Sequence, residues 1–451
     1  VIDPRRTRTA AGADWHIAPK PGTDGALALG MAHIIVQEEL QDEAWLAEYV
    51  IGWPALRKRL QEYPPARVAA ITGLPEEDIF ELARLYAEVQ PGLIKIADGL
   101  QRNLNGGQTT RAICALPALT GQYGTLGGGL AYSASGILSW NSAAVNHWDE
   151  CPPPARKVNM NRLGAALLGE VDAPPVKSLF VFGSNPAAIA PNAGRVIAGL
   201  KREDLFTVVH DLFLTDTADY ADIVLPATSQ LEQTDLHKAY GHTILTYNQQ
   251  AIPPLGDAKS NWKVMGLLAR EMGLTDEWLH NSAEEVIAEV WAATAVGNPA
   301  LKDITLDNLR SEGFLPFKPE NDIPFADSHF ATPSGKVELY SSVLAEQGLD
   351  PLPGWVDHDD DGYRGGEIEQ KRLSADDSFV LISRAAHHFV TSSFANQPGL
   401  LSREGEPFVE VHPEDAAARE IQTGDLVVVE NGRGWCELRA VVTDAVRPGV
   451  L

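Results

Sequence analysis

The sequence predicts an α/β fold: two parallel-sheet domains, residues 1–140 and 141–375, followed by a β-barrel domain over 376–451. Three observations predict it. "GLIKIADG", "LQRNLNGG" and the helical pattern Thr109 to Leu119 read as strand, glycine-bearing loop and helix. "VKSLFVFGSN", "LFTVVHD" and "ADIVLP" are short β-rich runs parted by helical or polar stretches, which implies a second parallel sheet. From Phe379 the texture changes to short β runs, "FVLISR", "PFVEVHP" and "DLVVVENGRGWCELRAVVT", punctuated by Asn-Gly and Gly-Asp.

Taken in order, Val1-Ile2-Asp3 reads as the tail of a strand that begins upstream. "PEEDIFELARLYAEV" is a helix with Pro75 at its first position, acids in its first turn, and Ile79, Leu82, Ala83 and Tyr86 on one face. "GLIKIADG" is expected as a buried strand ending at Gly99. A Pro-rich break, "CPPPARK", and later "DAPP" frame a variable connection. A helix is expected near Asn192 to Leu200, and the second α/β pattern runs to about residue 280 before a mixed stretch. The closing "VRPGVL" heads into another strand, so the barrel is expected to be truncated at Leu451 and the chain to be an internal fragment. An export signal would then lie upstream, and localisation is not read.

Composition excludes several classes. At 451 residues the chain can bury more than one core. No stretch reaches the length of apolar chain that a membrane span needs; the nearest, Gly127 to Trp140, is broken by Gly and Ser. Net charge is −25, from 36 basic and 61 acidic residues, which argues against a nucleic-acid surface. Cys114, Cys151 and Cys436 are far apart, without metal-ligand or cluster spacing. "DHDDDGYRGGEIEQKR" is acidic, but its Gly and Glu spacing is wrong for a calcium loop.

The chemistry gathers around "VFGSNPAAIAPN". Ligands of open parallel sheets bind beyond the carboxyl ends of the strands. Gly183 lets the backbone turn and approach a ligand, and loop amides leading into a helix favour a phosphate. Ser184 and Asn185 add hydrogen-bonding groups. His210 and Asp211 end the next strand on the same edge, where an acid can accept from a base or ribose hydroxyl. A tight structural turn at Gly183, and helix caps at Asp211 and Asp216, remain open alternatives.

On these residues the chain resembles the molybdopterin oxidoreductase family, the dimethyl sulfoxide reductase superfamily. The stretches that carry the likeness are "VIDPRRTRTAAGADWHIAPKPGTDGALALG", "GLQRNLNGG", "ALTGQYGTLGGG", "VFGSNPA", "TDTADYADIVLPATSQLEQTD" and "LISRAAHHFVTSS … EVHPEDAAAREIQTGDLVVVENGRG". The resemblance implies two Rossmann-like guanosine-binding domains and a double-psi β-barrel that caps the cofactor, molybdenum bis(molybdopterin guanine dinucleotide). It places Asp3, Arg5, Thr7, Gly22, Thr23 and Asp24 beside one guanosine. Asp98, Gly99, Arg102, Asn103 and Gly106 would face the pterin and molybdenum, and Gly183, Ser184, Asn185, His210, Asp211 and Asn261 would serve the second guanosine. Ser383, Arg384, His388 and Thr391 would approach phosphates and pterins from the barrel, where Arg384 can grip a phosphate with two donors.

Two positions depart from the family pattern: Ile382-Ser383-Arg384 stands where Thr-Gly-Arg is usual, and Arg102 where a Gln is common. The metal-ligating residue and the iron–sulfur cluster motif are expected upstream of this chain, so no catalytic side chain is named. The implied activity is two-electron oxidation or reduction of a small-molecule substrate, by oxygen-atom or hydride transfer. Electrons would pass through the cluster to a partner subunit. The alternative is a non-catalytic scaffold like the large electron-transfer subunit of respiratory complex I.

Overall fold

The protein is described by a computed structural model covering residues 1–148, 150–151, 156–171, 174–319, 321–357 and 378–451. The Pro-rich run after Cys151, the start of "DAPP" and the acidic run from residue 358 lie outside the described residues.

The first core is built around the helix Asp24–Gln37, whose residues Gly25–Ala32 and Ile34–Val36 are buried. Small residues let its neighbours come close. A Cβ on Gly25 would stand 2.9 Å from Thr109 Oγ1 on the helix Gly106–Leu119. A Cβ on Gly30 would stand 2.8 Å from Val68 on the helix Pro65–Thr72. The helix Glu76–Glu88 buries Ile79 and Ala83 in the same core, with Leu82 and Tyr86 packed against it. Pro75 is its N-cap, not its first helical residue: its ψ of 145° is extended.

Two parallel pairs flank this core. β1 (Val50–Ile51) pairs with a segment far along the chain, β10 (Val337–Glu338). β2 (Leu93–Lys95) pairs with β3 (Gly129–Ala131). The expected burial of "GLIKIADG" is corrected here. β2 has one neighbour, and Leu93 and Lys95 are exposed while Ile94 is half-buried.

The second region holds the expected sheet. β4 (Ser178–Phe182), β5 (Phe206–Asp211) and β6 (Ile223–Pro226) are parallel and lie in chain order. The crossover between β4 and β5 carries the helix Ala193–Leu200, which packs on the helix Leu163–Leu167. A Cβ on Gly199 would fall 2.4 Å from Leu167 Cβ, so these helices touch through glycine. β7 (Asp235–Lys238), β8 (Ile244–Asn248) and β9 (Phe314–Pro316) form a separate antiparallel sheet. Its core joins Leu245 and Tyr247 to Ile287, Trp291, Leu309 and Phe317.

The span 141–375 is not one packing unit. Leu339 lies in the first core, with Val337, Leu352 and Trp355 packed against it, because β10 adds to β1.

The last region is a three-stranded sheet with β11 (Phe408–Val411) parallel to β13 (Gly434–Val442), and β12 (Leu426–Asn431) antiparallel to β13. "FVLISR" contributes a single parallel bridge, Val380 to Val450. This region is docked on the first. Arg6 N donates to Ala445 O at 2.7 Å. Arg447 Nη1 donates to the carbonyls of Ala18 and Thr72 at 2.9 and 3.1 Å. Among the described residues no helix is long and apolar enough to cross a membrane.

Candidate functional site

The carboxyl edge of β4–β5–β6 brings together Gly183, Ser184, Asn185, His210 and Asp211. Gly183 leaves β4 with φ +56°, and its N–H donates to His210 O at 3.3 Å. A Cβ at Gly183 would meet nothing within 4 Å, so the space beside it is open. Asp211 ends β5 one residue after His210, on the same edge. Its Oδ1 accepts from its own loop, Leu212 N at 2.7 Å and Phe213 N at 3.4 Å.

Two of the expected residues lie buried under this edge. Asn185 is buried and stitches the loop after β4 to the loop after β5. Its Oδ1 accepts from Thr217 N and Oγ1 at 3.1 and 2.7 Å, and its Nδ2 donates to Asp216 at 2.9 Å. Thr217 Oγ1 in turn accepts from Ala187 N at 3.0 Å. The reason is geometric: helical chain begins at Pro186, and its first free amides need acceptors. His210 is fully buried, its Nε2 3.0 Å from Lys259 O. Both side chains shape the edge from beneath, while Ser184 and Asp211 are half-exposed upon it.

Beside this edge lies a cavity of about 280 Å³, lined by Phe182, Asn261, Trp262, Met265, Trp278 and Leu279 among others. Asn261 is the first residue of the helix Asn261–Glu271, capped by Ser260. Lys259 N donates to Pro226 O at 3.1 Å, which extends the sheet edge toward the cavity.

A second cluster sits past β2. Asp98–Gln101 form one 3-10 turn. The Tyr132 hydroxyl donates to Asp98, which raises the Tyr132 pKa, and Gln101 Nε2 reaches the same hydroxyl at 3.3 Å. Lys95 lies with its ammonium 5.7 Å from the Tyr132 ring centre. Asn103 braces the turn, donating to Leu100 O and accepting from Asn105 N. Gly106 is sterically required: a Cβ there would stand 2.6 Å from Gln101 Cα. Gly99 and Arg102 are exposed.

The remaining residues meet at the junction of the first and last regions. Asp3 Oδ1 accepts from Arg5 N at 2.9 Å, and Thr7 caps the turn Arg8–Ala11. Arg5 is not a free cation: its Nε and Nη2 each donate to Glu410 at 2.5 Å. Gly22 accepts from Trp355 Nε1 at 3.0 Å, Thr23 is buried, and burial raises the Asp24 carboxyl pKa. Arg384 lies over the Phe408 ring at 5.2 Å, and its charge adds to the lowering of the Glu410 pKa. Ser383 and Thr391 are exposed, and His388 N donates to Glu404 at 3.2 Å. Glu410, Tyr132, Lys95 and Trp278 were not singled out by sequence reasoning. Each is marked only by a partner distant in the chain. Among the described residues no three His, Cys, Asp or Glu side chains are grouped to hold a metal ion.

Comparison with known proteins gives the family of the chain. The molybdopterin oxidoreductase family model matches residues 1–271, and that of the molydopterin dinucleotide binding domain matches residues 379–451. The probable oxidoreductase YoaE of Bacillus subtilis (strain 168) is 43% identical over 452 residues, covering 100% of this chain and 64% of its own length. The dimethyl sulfoxide/trimethylamine N-oxide reductase of Rhodobacter capsulatus is 30% identical over 516 residues, covering 100% of this chain and 60% of its own. The solved acetylene hydratase from Pelobacter acetylenicus superposes with a TM-score of 0.74 at 26% identity, covering 100% of this chain and 65% of that one. The chain thus spans less than two thirds of the length of these relatives. Its α/β architecture with parallel sheets is theirs, and the chain belongs to the molybdopterin oxidoreductase family.

Proposed function

We propose that this chain is the cofactor-holding part of the catalytic subunit of a molybdenum bis-pterin oxidoreductase. Its reaction is a two-electron oxidation or reduction of a small substrate, by oxygen-atom or hydride transfer. The observation that supports this most is the open carboxyl edge at Gly183 and Asp211, inside the segment matched by the family model.

The family's cofactor is molybdenum bis(molybdopterin guanine dinucleotide). The residues present fit it. Gly183 holds a left-handed turn facing open space, the neighbouring cavity is apolar with one amide side chain at its rim, and exposed Arg384 offers a two-donor grip. When bound, this cofactor supplies the two-electron chemistry. The chain binds and orients. Gly183 and Ser184 would lie against the nucleotide, and Asp211 would accept from base or ribose hydroxyl. Asn261 would close the base side, and Arg384 with Ser383 would meet phosphate from the last region. Asp98, Gly99 and Arg102 would face the reactive side, with Asp98 held by Tyr132. In this reading residues 376–451 form the double-psi barrel that caps the cofactor, and residues 1–140 hold the other guanosine. Electrons would leave through an iron–sulfur cluster, held outside this chain's described residues, to a partner subunit.

The relatives named oxidoreductase and reductase favour this over the scaffold reading. The likeness to a hydratase leaves the substrate open. The test is metal and nucleotide analysis of the full-length protein grown with molybdate and tungstate. Molybdenum or tungsten with two guanosine nucleotides per metal is expected. A folded protein carrying neither metal overturns the reading.

A further inference from the structure

The parallel pair β2–β3 has a carboxyl edge of its own, and ligands of parallel sheets collect at such edges. Asp98 lies past the end of β2 there, and Tyr132 directly past the end of β3. The Tyr132 hydroxyl donates to Asp98 Oδ1, while Asp98 Oδ2 has no partner among the described residues. The hydroxyl accepts in turn from Gln101 Nε2 at 3.3 Å. Lys95 Nζ donates to Ile96 O at 3.0 Å and to Tyr132 O, so one ammonium joins the ends of both strands. Beyond Tyr132 the chain is held again. Lys238 Nζ donates to Ser135 O at 2.7 Å and to Leu138 O, and Ala134 N donates to Tyr240 O at 2.7 Å. Yet the pair held in this way stands in water: Tyr132 is 45% exposed, Asp98 is exposed, and a Cβ on Gly99 would meet nothing within 4 Å. Exposed polar contacts add little to stability, so folding does not account for a carboxylate fixed on one oxygen and open on the other.

We propose that Asp98 is the proton-exchanging residue of the reactive side, with Tyr132 as the positioning residue that aims it. This rests on the reading above that Asp98 and its neighbours face the reacting molecule. Of the residues read as lying there, Gly99 and Gly106 have no side chain to titrate, Arg102 stays protonated and Asn103 is a neutral amide. Asp98 is also the only acid in the sequence between Glu88 and Asp149. The Tyr132 phenol does not compete for the proton, because its hydrogen bond to Asp98 pushes its own pKa up and keeps it a donor. The charges about Asp98 are Lys95 on β2 and Arg102 after the turn; the helix Gly106–Leu119, packed on that turn, brings none before Arg111. Two-electron chemistry moves protons as well as electrons. In oxidation, a bond to hydrogen breaks in the substrate or in the water that supplies its oxygen. The proton bonds to Asp98 Oδ2, the electron pair is left to the cofactor, and the carboxyl passes its proton to bulk water. In reduction the same exchange runs backwards.

The test uses the full-length protein loaded with molybdenum or tungsten, poised in the paramagnetic pentavalent state and titrated with pH by electron paramagnetic resonance. The wild-type signal should pass between two forms in a one-proton step. Asp98→Asn keeps an acceptor for Tyr132 but cannot ionise, and should show a single form at every pH. Tyr132→Phe should keep both forms and raise the midpoint by up to about one pH unit, because a donor to the ionised carboxylate is lost. A purely structural Tyr132 would leave the midpoint where it is. Two forms persisting in Asp98→Asn at the wild-type midpoint, or a single form in the wild type, overturn the assignment to Asp98 while leaving the molybdenum reading standing. A folded protein carrying neither metal sinks both. Should Asp98→Asn fail to take up metal, Tyr132→Phe decides: a raised midpoint supports the proposal, and an unmoved one overturns it.

Discussion

Arg5 and Glu410, 405 residues apart in the chain, meet in a two-pronged ion pair, each carboxylate oxygen 2.5 Å from a guanidinium nitrogen. Their side chains are 21% and 12% exposed, so the pair is mostly withdrawn from water. It fastens the last region to the opening segment. Each single change to Ala should therefore cost about 2 kcal/mol, much of it from the stranded partner. The double change should cost less than the sum, as a double-mutant cycle by chemical unfolding would reveal. Additive losses would mean that the pair contributes nothing as a pair.

The same pair gives a pH dependence. The hydrogen bonds from Arg5 hold the Glu410 pKa below its ordinary value. The group's contribution is then present above the unfolded carboxyl value and is lost as pH falls through the lowered folded one. Melting temperature should drop on acidification below about pH 4.5, where unfolded Glu begins to protonate. Glu410→Gln should be less stable at pH 7 and should lose less on acidification. A melting profile parallel to wild type would reject this.

Asn185 predicts a buried defect. Asn185→Ala strands both the N–H and the hydroxyl of Thr217, in a place water does not reach. A loss of about 2–3 kcal/mol is expected, visible in thermal unfolding. Asn185→Asp keeps the acceptor but sets a carboxylate against Asp216, so it should not rescue.

Gly183→Val should separate loading from folding. The new Cβ meets no protein atom within 4 Å, and the left-handed backbone costs about 1–2 kcal/mol. Cofactor content per folded chain should fall severalfold. Normal content would show that nothing needs the space beside Gly183.

Gly106→Ala tests the other cluster. Its Cβ would collide with the Gln101 backbone, pushing the Asp98–Gln101 turn off the helix Gly106–Leu119. The expected effect is a loss of about 1–3 kcal/mol by overpacking. Gly107→Ala, with open space around it, is the internal control and should be near neutral.

The parallel sheet was legible because β4, β5 and β6 are apolar runs ended by Gly, Asp and Pro, all local signals. The shared edge of Gly183 and Asp211 followed from topology alone. What was not legible depends on partners far along the chain. Nothing near Asn185 announces Thr217, and nothing near Arg5 announces Glu410. β2 looked buried because Leu93 and Ile94 are apolar, yet burial needs a second neighbour that β2 lacks. The return of Leu339 to the first core is likewise invisible in a window around it, since β10 is two residues long.

The contacts of Arg447 carry a consequence for biosynthesis. The carbonyls of Ala18 and Thr72 receive its guanidinium only after the ribosome has passed residue 447. β10, made more than a hundred residues earlier, can already have paired with β1 by then, so the docking of the last region follows the closing of the first core.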